Sequence, residues 1–141
     1  MLNYPIELIP DKENGGFLVE FPDFSFVHTV GDTLEEALSE ASDALESGLQ
    51  IFFEERRPVP APSRPKRGQH TVALPALVVA KVLLHNEMLS QGVKKAELAR
   101  RMNMAPPNVE RIFRLKNKTR IETVEAALSC LGKHIDLQLT T

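Results

Sequence analysis

Cysteine is nearly absent from this chain of 141 residues, where Cys130 stands alone. One thiol can form neither an intramolecular disulfide nor a multi-cysteine zinc site, so neither framework is expected to hold the fold. No apolar run approaches the roughly 18 residues that a membrane-spanning helix needs. The N-terminal MLNYPIELIPDK lacks the basic start and apolar core of a secretory signal. Together these absences predict a soluble protein of a reducing compartment, the cytoplasm. Net charge is also scarce, at −2. What is present, 43% apolar and 26% charged residues, is an ordinary globular composition.

The near-neutrality is a cancellation. Residues 1–60 hold 13 Asp/Glu against 3 Lys/Arg, a net of −10, and residues 61–141 hold 6 acids against 14 bases, a net of +8. Such a dipolar chain predicts an acidic module and a basic one, the second suited to nucleic acid. The charge break falls in a proline-rich stretch, RRPVPAPSRPKRGQ, in which Pro58, Pro60, Pro62 and Pro65 are too close for helix or central strand. The expected division is an acidic domain over 1–56, a semi-stiff linker over 57–69 and a basic domain over 70–141. Each half is small, burying ~60% of its chain surface, so dimerisation is a natural source of further stability.

In the first half, Tyr4–Ile9 and Phe17–Phe21 alternate as strands around Asn14-Gly15-Gly16, which predicts a hairpin. Phe26–Val30 is a third strand. Thr33 and Glu36 are spaced as a capping box, opening a helix from Leu34 to about Glu55. Its apolar stripe runs Leu34, Ala37, Leu38, Ala41, Leu45, Leu49 and Phe52, opposite an acidic face. The pattern is βββα.

In the second half, Thr71–Leu74 reads as a short strand, and a helix follows Pro75 as far as Gly92. Lys95–Met102 forms a short helix, Asn103-Met104-Ala105 a tight turn, and Pro106 opens a helix to about Leu115. A second capping box, Thr119 with Glu122, precedes a helix ending near Leu131 and Gly132. Ile135, Leu137 and Leu139 alternate as a terminal strand. The expected class is therefore α+β, with a mostly α second domain bracketed by short strands.

The stretch Lys95–Phe113 has helix-turn-helix spacing, with small Ala99 at the crossing and Asn103 at the turn position that needs a left-handed backbone. In such a motif the second helix lies in the major groove with its N-terminal residues nearest the bases. Here those are Pro106, Pro107, Glu110 and Arg111, with Asn108 nearby, and Arg111 alone suits bidentate guanine readout. Lys95, Arg100, Arg114, Lys116 and Lys118 are placed to serve phosphates.

Along essentially its whole length the chain resembles the HicB antitoxin family. The carrying segments are YPIELIPDKENGGFLVEFPDF, GDTLEEALSEASDALE with Asp32, Glu35, Glu36 and Ala37, and the helix-turn-helix ending in LGKHIDLQL. The resemblance implies a partial ribonuclease-H-like N-terminal domain that binds and silences a HicA-like toxin, a small basic ribonuclease acting on mRNA. It also implies a C-terminal domain that dimerises and represses the operon at double-stranded operator DNA. An acidic surface suits a basic protein partner. Pairing of Thr71–Leu74 with Ile135–Leu139 between copies would set two second helices about one DNA turn apart. Two departures are visible: Lys94-Lys95 replaces the Thr-Gln usual at the first helix, and Pro106-Pro107 replaces polar readout residues.

A ribonuclease-H-like domain invites a search for carboxylates able to hold two metal ions. Glu7, Glu20, Asp23, Glu40 and Asp43 are the candidates, and no spacing forces three of them together. The four histidines lack ligand spacing, and no nucleophile sits beside a base. No catalytic residue, metal or other cofactor is expected, and Cys130 reads as a small buried hydrophobe. Glu20, Asp23 and Phe52 are the candidate toxin contacts. Two other functions share the pattern: a ribonuclease-H-like enzyme with a DNA-targeting tail, and a ligand-sensing transcription factor.

Overall fold

The computed structural model describes residues 2–141. Strands β1 (Asn3–Pro10), β2 (Phe17–Phe21) and β3 (Phe24–Gly31) form an antiparallel meander. Side-chain alternation divides it into two faces. Tyr4, Ile6, Val19, Phe21, Phe24 and Val27 are buried beneath helix α1 (Leu34–Glu54). The Thr33 hydroxyl accepts a hydrogen bond from the Glu36 amide at 3.1 Å, so the predicted N-cap is formed. From the helix, Ala37, Ala41, Leu45, Gly48, Leu49, Phe52 and Phe53 turn inward, while Leu34 at its first turn remains exposed. Each fully buried leucine here contributes about 1.5–3 kcal/mol relative to exposure.

The proline-rich stretch has no regular structure, as its composition dictates, yet it lies against both halves. Val59 is buried, and its amide and carbonyl bond the Asn86 side chain at 2.8 and 3.1 Å. The Tyr4 hydroxyl donates to the Pro60 carbonyl at 2.6 Å, and the Ser63 amide to Asp23 at 2.9 Å.

Two expectations about short strands are corrected. Strand β4 (His70–Ala73) does not bracket the helical half. It pairs antiparallel with β1, Tyr4 opposite Val72 and Ile6 opposite His70, to give the order β3-β2-β1-β4. The free edge of β1 supplies the hydrogen-bonding partner, and Val72 and Leu74 bury their side chains there. Ile135–Leu139 forms no strand, and Leu137 and Leu139 are exposed. Alternation alone makes no strand: the tail pairs with neither edge of the sheet, β3 or β4, so its strand propensity goes unused.

The helical half comprises α2 (Ala76–Gln91), α3 (Lys95–Met102), α4 (Pro106–Ile112) and α5 (Ile121–Ser129). Gly92 ends α2 in the left-handed conformation, and Gly132 takes up the same conformation beyond α5. The second capping box is not made. Arg120, not Thr119, occupies the N-cap position of α5 and makes no side-chain cap bond, and the buried Thr119 hydroxyl has no hydrogen-bond partner among the described residues. Buried side chains from both halves belong to one continuous core.

Candidate functional site

The α3–α4 pair is built as its spacing requires. Asn103 sits at φ 54°, ψ 46°, and the Asn103 and Met104 amides bond back to the carbonyls of Arg100 and Ala99 at 3.2 and 2.9 Å. Leu98, Ala99, Val109 and Ile112 are buried between and beneath the helices. Pro106 and Pro107 occupy the first positions of α4, where a missing amide hydrogen costs nothing. Helix α4 ends at Ile112, three residues short of expectation.

The outward side of α4 presents Pro106, Pro107, Asn108 and Arg111, all exposed. An Arg111 guanidinium nitrogen lies 3.4 Å from the Asn108 side-chain oxygen, a long contact that leaves the group nearly free. Beside the N-terminus of α4 a cleft of about 480 Å³ is lined by Ala99, Arg100, Asn103 and Pro106 among others. Not every predicted base is free. Lys95 is half-buried, bonds both Glu110 oxygens at 3.1–3.2 Å and lies over the Phe113 ring, so it ties α3 to α4. Arg100 pairs with Glu97. Arg114 and Lys116 line a groove shared with Glu46, Gln50 and Glu54 of α1. Lys118 is exposed.

Two residues that sequence reasoning missed fasten this surface to the rest. The Gln50 amide donates to the Phe113 carbonyl at 2.9 Å and accepts from the Leu115 amide at 2.8 Å, a two-point clamp from α1 onto the segment leaving α4. Lys81, fully buried on α2, donates to the carbonyls of Arg114 and Asn117 at 2.8 and 2.9 Å. Burial pushes the Lys81 ammonium down to about 8. A lone lysine inside ALVVAKVLL was the available signal for such a buried anchor. Burial likewise raises the nearby Glu46 carboxyl, and Asp43 adds to that, while Lys116 and Lys81 oppose it.

His85 completes the junction. Its ring stacks on Phe53 at 4.1 Å, and Nε2 lies 2.7 Å from the Arg57 carbonyl, to which it donates in the neutral Nε2–H tautomer. Burial lowers its pKa below the ordinary 6.5; the Arg57 hydrogen bond works against this, and Lys95 and Arg56 add to the lowering. The unfolded chain therefore takes up this proton at a higher pH than the folded one. The stability His85 contributes is complete above pH 6.5, falls as pH descends towards the lowered folded value, and then levels off. Urea denaturation at pH 7.5 and 5.5 should show a larger loss for the native chain than for His85→Gln, and equal losses would refute this origin.

The predicted carboxylates are only partly gathered. Glu7 and Glu20 face each other across β1 and β2, and Glu20 faces His28 across β2 and β3, on the face away from α1. Glu40 and Asp43 lie on α1, behind the sheet. Among the described residues no three His, Cys, Asp or Glu side chains are grouped to hold a metal ion. Among the candidate toxin contacts, Glu20 is exposed and Asp23 is half-buried with one oxygen bonded to Ser63. Phe52 is buried against Phe24 and Phe26, with the Arg57 guanidinium 4.6 Å from its ring centroid, so it offers a partner little surface. Cys130 is half-buried. No helix among the described residues is long and apolar enough to cross a membrane.

A four-stranded sheet with one helix-covered face, joined through a shared core to a short-helix pair, defines the class of protein to which the sequence comparisons give a name. A profile described as HicB_like antitoxin of bacterial toxin-antitoxin system matches residues 3–83. The chain belongs to this HicB-like antitoxin family. It is 43% identical to Antitoxin HicB 2 of Photorhabdus laumondii over 136 residues, covering 96% of this chain and 95% of that one. It is 40% identical to Antitoxin HicB of Pseudomonas fluorescens over 140 residues, covering 99% and 94%. With Antitoxin HicB of Escherichia coli K12 the identity is 36% over 136 residues, covering 96% and 98%. An antitoxin is not an enzyme, and the family is one of antitoxins.

Proposed function

We propose that this antitoxin joins two binding activities. Residues 1–56 bind and neutralise a HicA-like mRNA-cleaving toxin. Residues 70–141 dimerise and repress the chain's own operon by holding double-stranded operator DNA, with 57–69 between them and β4 lent to the sheet. The arrangement of β1–β3 under α1 supports a partial ribonuclease-H-like reading of the first part. The working place is the cytoplasm, on the nucleoid when bound to the operator.

The observation that carries the DNA reading is α4 itself. It stands on a left-handed turn at Asn103, with Arg111 exposed and in no ion pair among the described residues. As the second helix of a helix-turn-helix it presents Arg111 to base edges, with Pro106 and Pro107 giving apolar contact and Asn108 beside them. Arg100, Arg114, Lys116 and Lys118 meet phosphates, and Lys95 supports the helix from below. The exposed tail residues Leu137 and Leu139 are consistent with a second copy covering them.

The test is a fluorescence-anisotropy titration of the full chain with the duplex upstream of its own gene and a scrambled duplex. Arg111→Ala is expected to cost ~1–3 kcal/mol on the first duplex and little on the second. Lys118→Ala is expected to weaken both alike and reduce the salt slope by about 0.9. Equal wild-type affinity for the two duplexes refutes operator recognition.

A further inference from the structure

Antiparallel sheets with one solvated face place polar residues outward. This sheet breaks that rule in a patterned way. On the face turned from α1, register puts Ile9 opposite Leu18 and Leu18 opposite Val30, an apolar row across three strands. Val30 is 64% exposed and Ile9 43%. The adjoining row, two residues along each strand, is Glu7, Glu20 and His28, all exposed. Glu7 and Glu20 are directly opposed like charges, an arrangement that destabilises a sheet. One Glu7 oxygen accepts from Gln69 at 2.6 Å, and no cation pairs with either carboxylate among the described residues. A depression of about 320 Å³ lies beside the row, lined in part by Glu7, Glu20, Pro22, Ser25 and His28.

We propose that this open face is where the toxin docks, as a basic protein surface that sets apolar side chains on Ile9, Leu18 and Val30 and a lysine or arginine between Glu7 and Glu20. The inference rests on the toxin-binding reading above and adds the face and the chemistry of the occupant. The two features are complementary in one partner. Covering the apolar row removes it from water, and a cation between the carboxylates relieves their repulsion while its own charge is matched. A face evolved for solvent alone would need neither the exposed apolar row nor the uncompensated acidic pair.

The experiment uses the full-length chain and the purified product of the gene adjoining its own, with titration calorimetry and thermal melting on each variant. Glu20→Gln removes the like-charge pair, so the free chain should melt about 1–3 °C higher. The same change should weaken toxin binding about tenfold or more. Opposite signs on stability and binding are what a merely structural role would not produce. Val30→Asp, at an exposed site, should leave melting nearly unchanged and weaken binding roughly a hundredfold by placing an unpaired charge in the interface. Wild-type affinity in both variants overturns the proposal. So does loss of binding confined to Ile51→Asp, on α1, which would place the partner in the groove that Phe26, Ala44 and Ile51 line between β3 and α1. No binding by the native chain refutes the toxin-binding reading and the proposal with it, whereas native binding with indifferent variants refutes the face alone.

Discussion

Phe53→Ala is expected to cost about 3–5 kcal/mol of folding stability, the range for deleting a buried aromatic side chain. Phe53 is 3% exposed near the C-terminal end of α1. It stacks on His85 of α2 at 4.1 Å and lies 6.3 Å from the Phe113 ring, just beyond α4. The lost ring leaves a cavity between the acidic and basic halves, lined by His85, Met88, Val93 and Phe113. Because the core is continuous, the loss should appear in one transition and not two. The chain offers a convenient check, since Tyr4 is its only tyrosine and it has no tryptophan. Tyrosine fluorescence follows the sheet, and circular dichroism follows chiefly the helices. The two urea curves should coincide in the native chain and shift together in Phe53→Ala. Separate midpoints, or a shift in the sheet signal alone, would mean that the halves fold independently.

That junction is where the sequence was least legible. Local patterns were strong enough to place the hairpin, the Thr33 cap, α1, the left-handed Asn103 turn and the stop at Gly92, because each depends on residues within one or two turns of chain. Contacts across the charge boundary depend on residues far apart in sequence. Gln50 lies 63 and 65 positions from the backbone groups it holds, and nothing in its neighbours announces them. The same limit explains both strand corrections. A strand is defined by its partner, and neither the pairing of β4 with β1 nor the lack of a partner for Ile135–Leu139 is written in their own alternation. Among the proposed DNA contacts, spacing placed the start of α4 at Pro106, where the helix begins, and Arg111 is exposed on it. It could not show that Lys95 is engaged with Glu110 and Phe113, or that Arg114 and Lys116 share a groove with α1 acids. The two charged halves, which composition suggested were separate modules, meet at that groove.

Gly31→Ala is expected to destabilise the chain by about 3 kcal/mol, the upper part of the usual overpacking range. The reason is steric and lies in the backbone. A Cβ at Gly31 would stand 2.4 Å from the Ala37 nitrogen, 2.5 Å from its Cα and 2.9 Å from its Cβ. No rotamer change can clear two backbone atoms, so the start of α1 must move off the end of β3 or β3 must leave its pairing with Phe17. Gly48→Ala is the informative contrast. Its new Cβ would meet Val27 Cγ2 at 2.4 Å, a side-chain methyl, and alanine gains ~1 kcal/mol over glycine in a helix. The second substitution should therefore cost clearly less than the first, although both glycines sit where α1 approaches β3. Urea midpoints decide the matter, and equal midpoints for native and Gly31→Ala would show that the helix is free to shift. If the helix does shift, Gln50 moves with it, and the segment it clamps beyond α4 loses its two-point hold. On the proposed DNA-binding reading, a lesion at the edge of the sheet would then lower DNA affinity below the melting transition, in a chain where Arg111 itself is untouched.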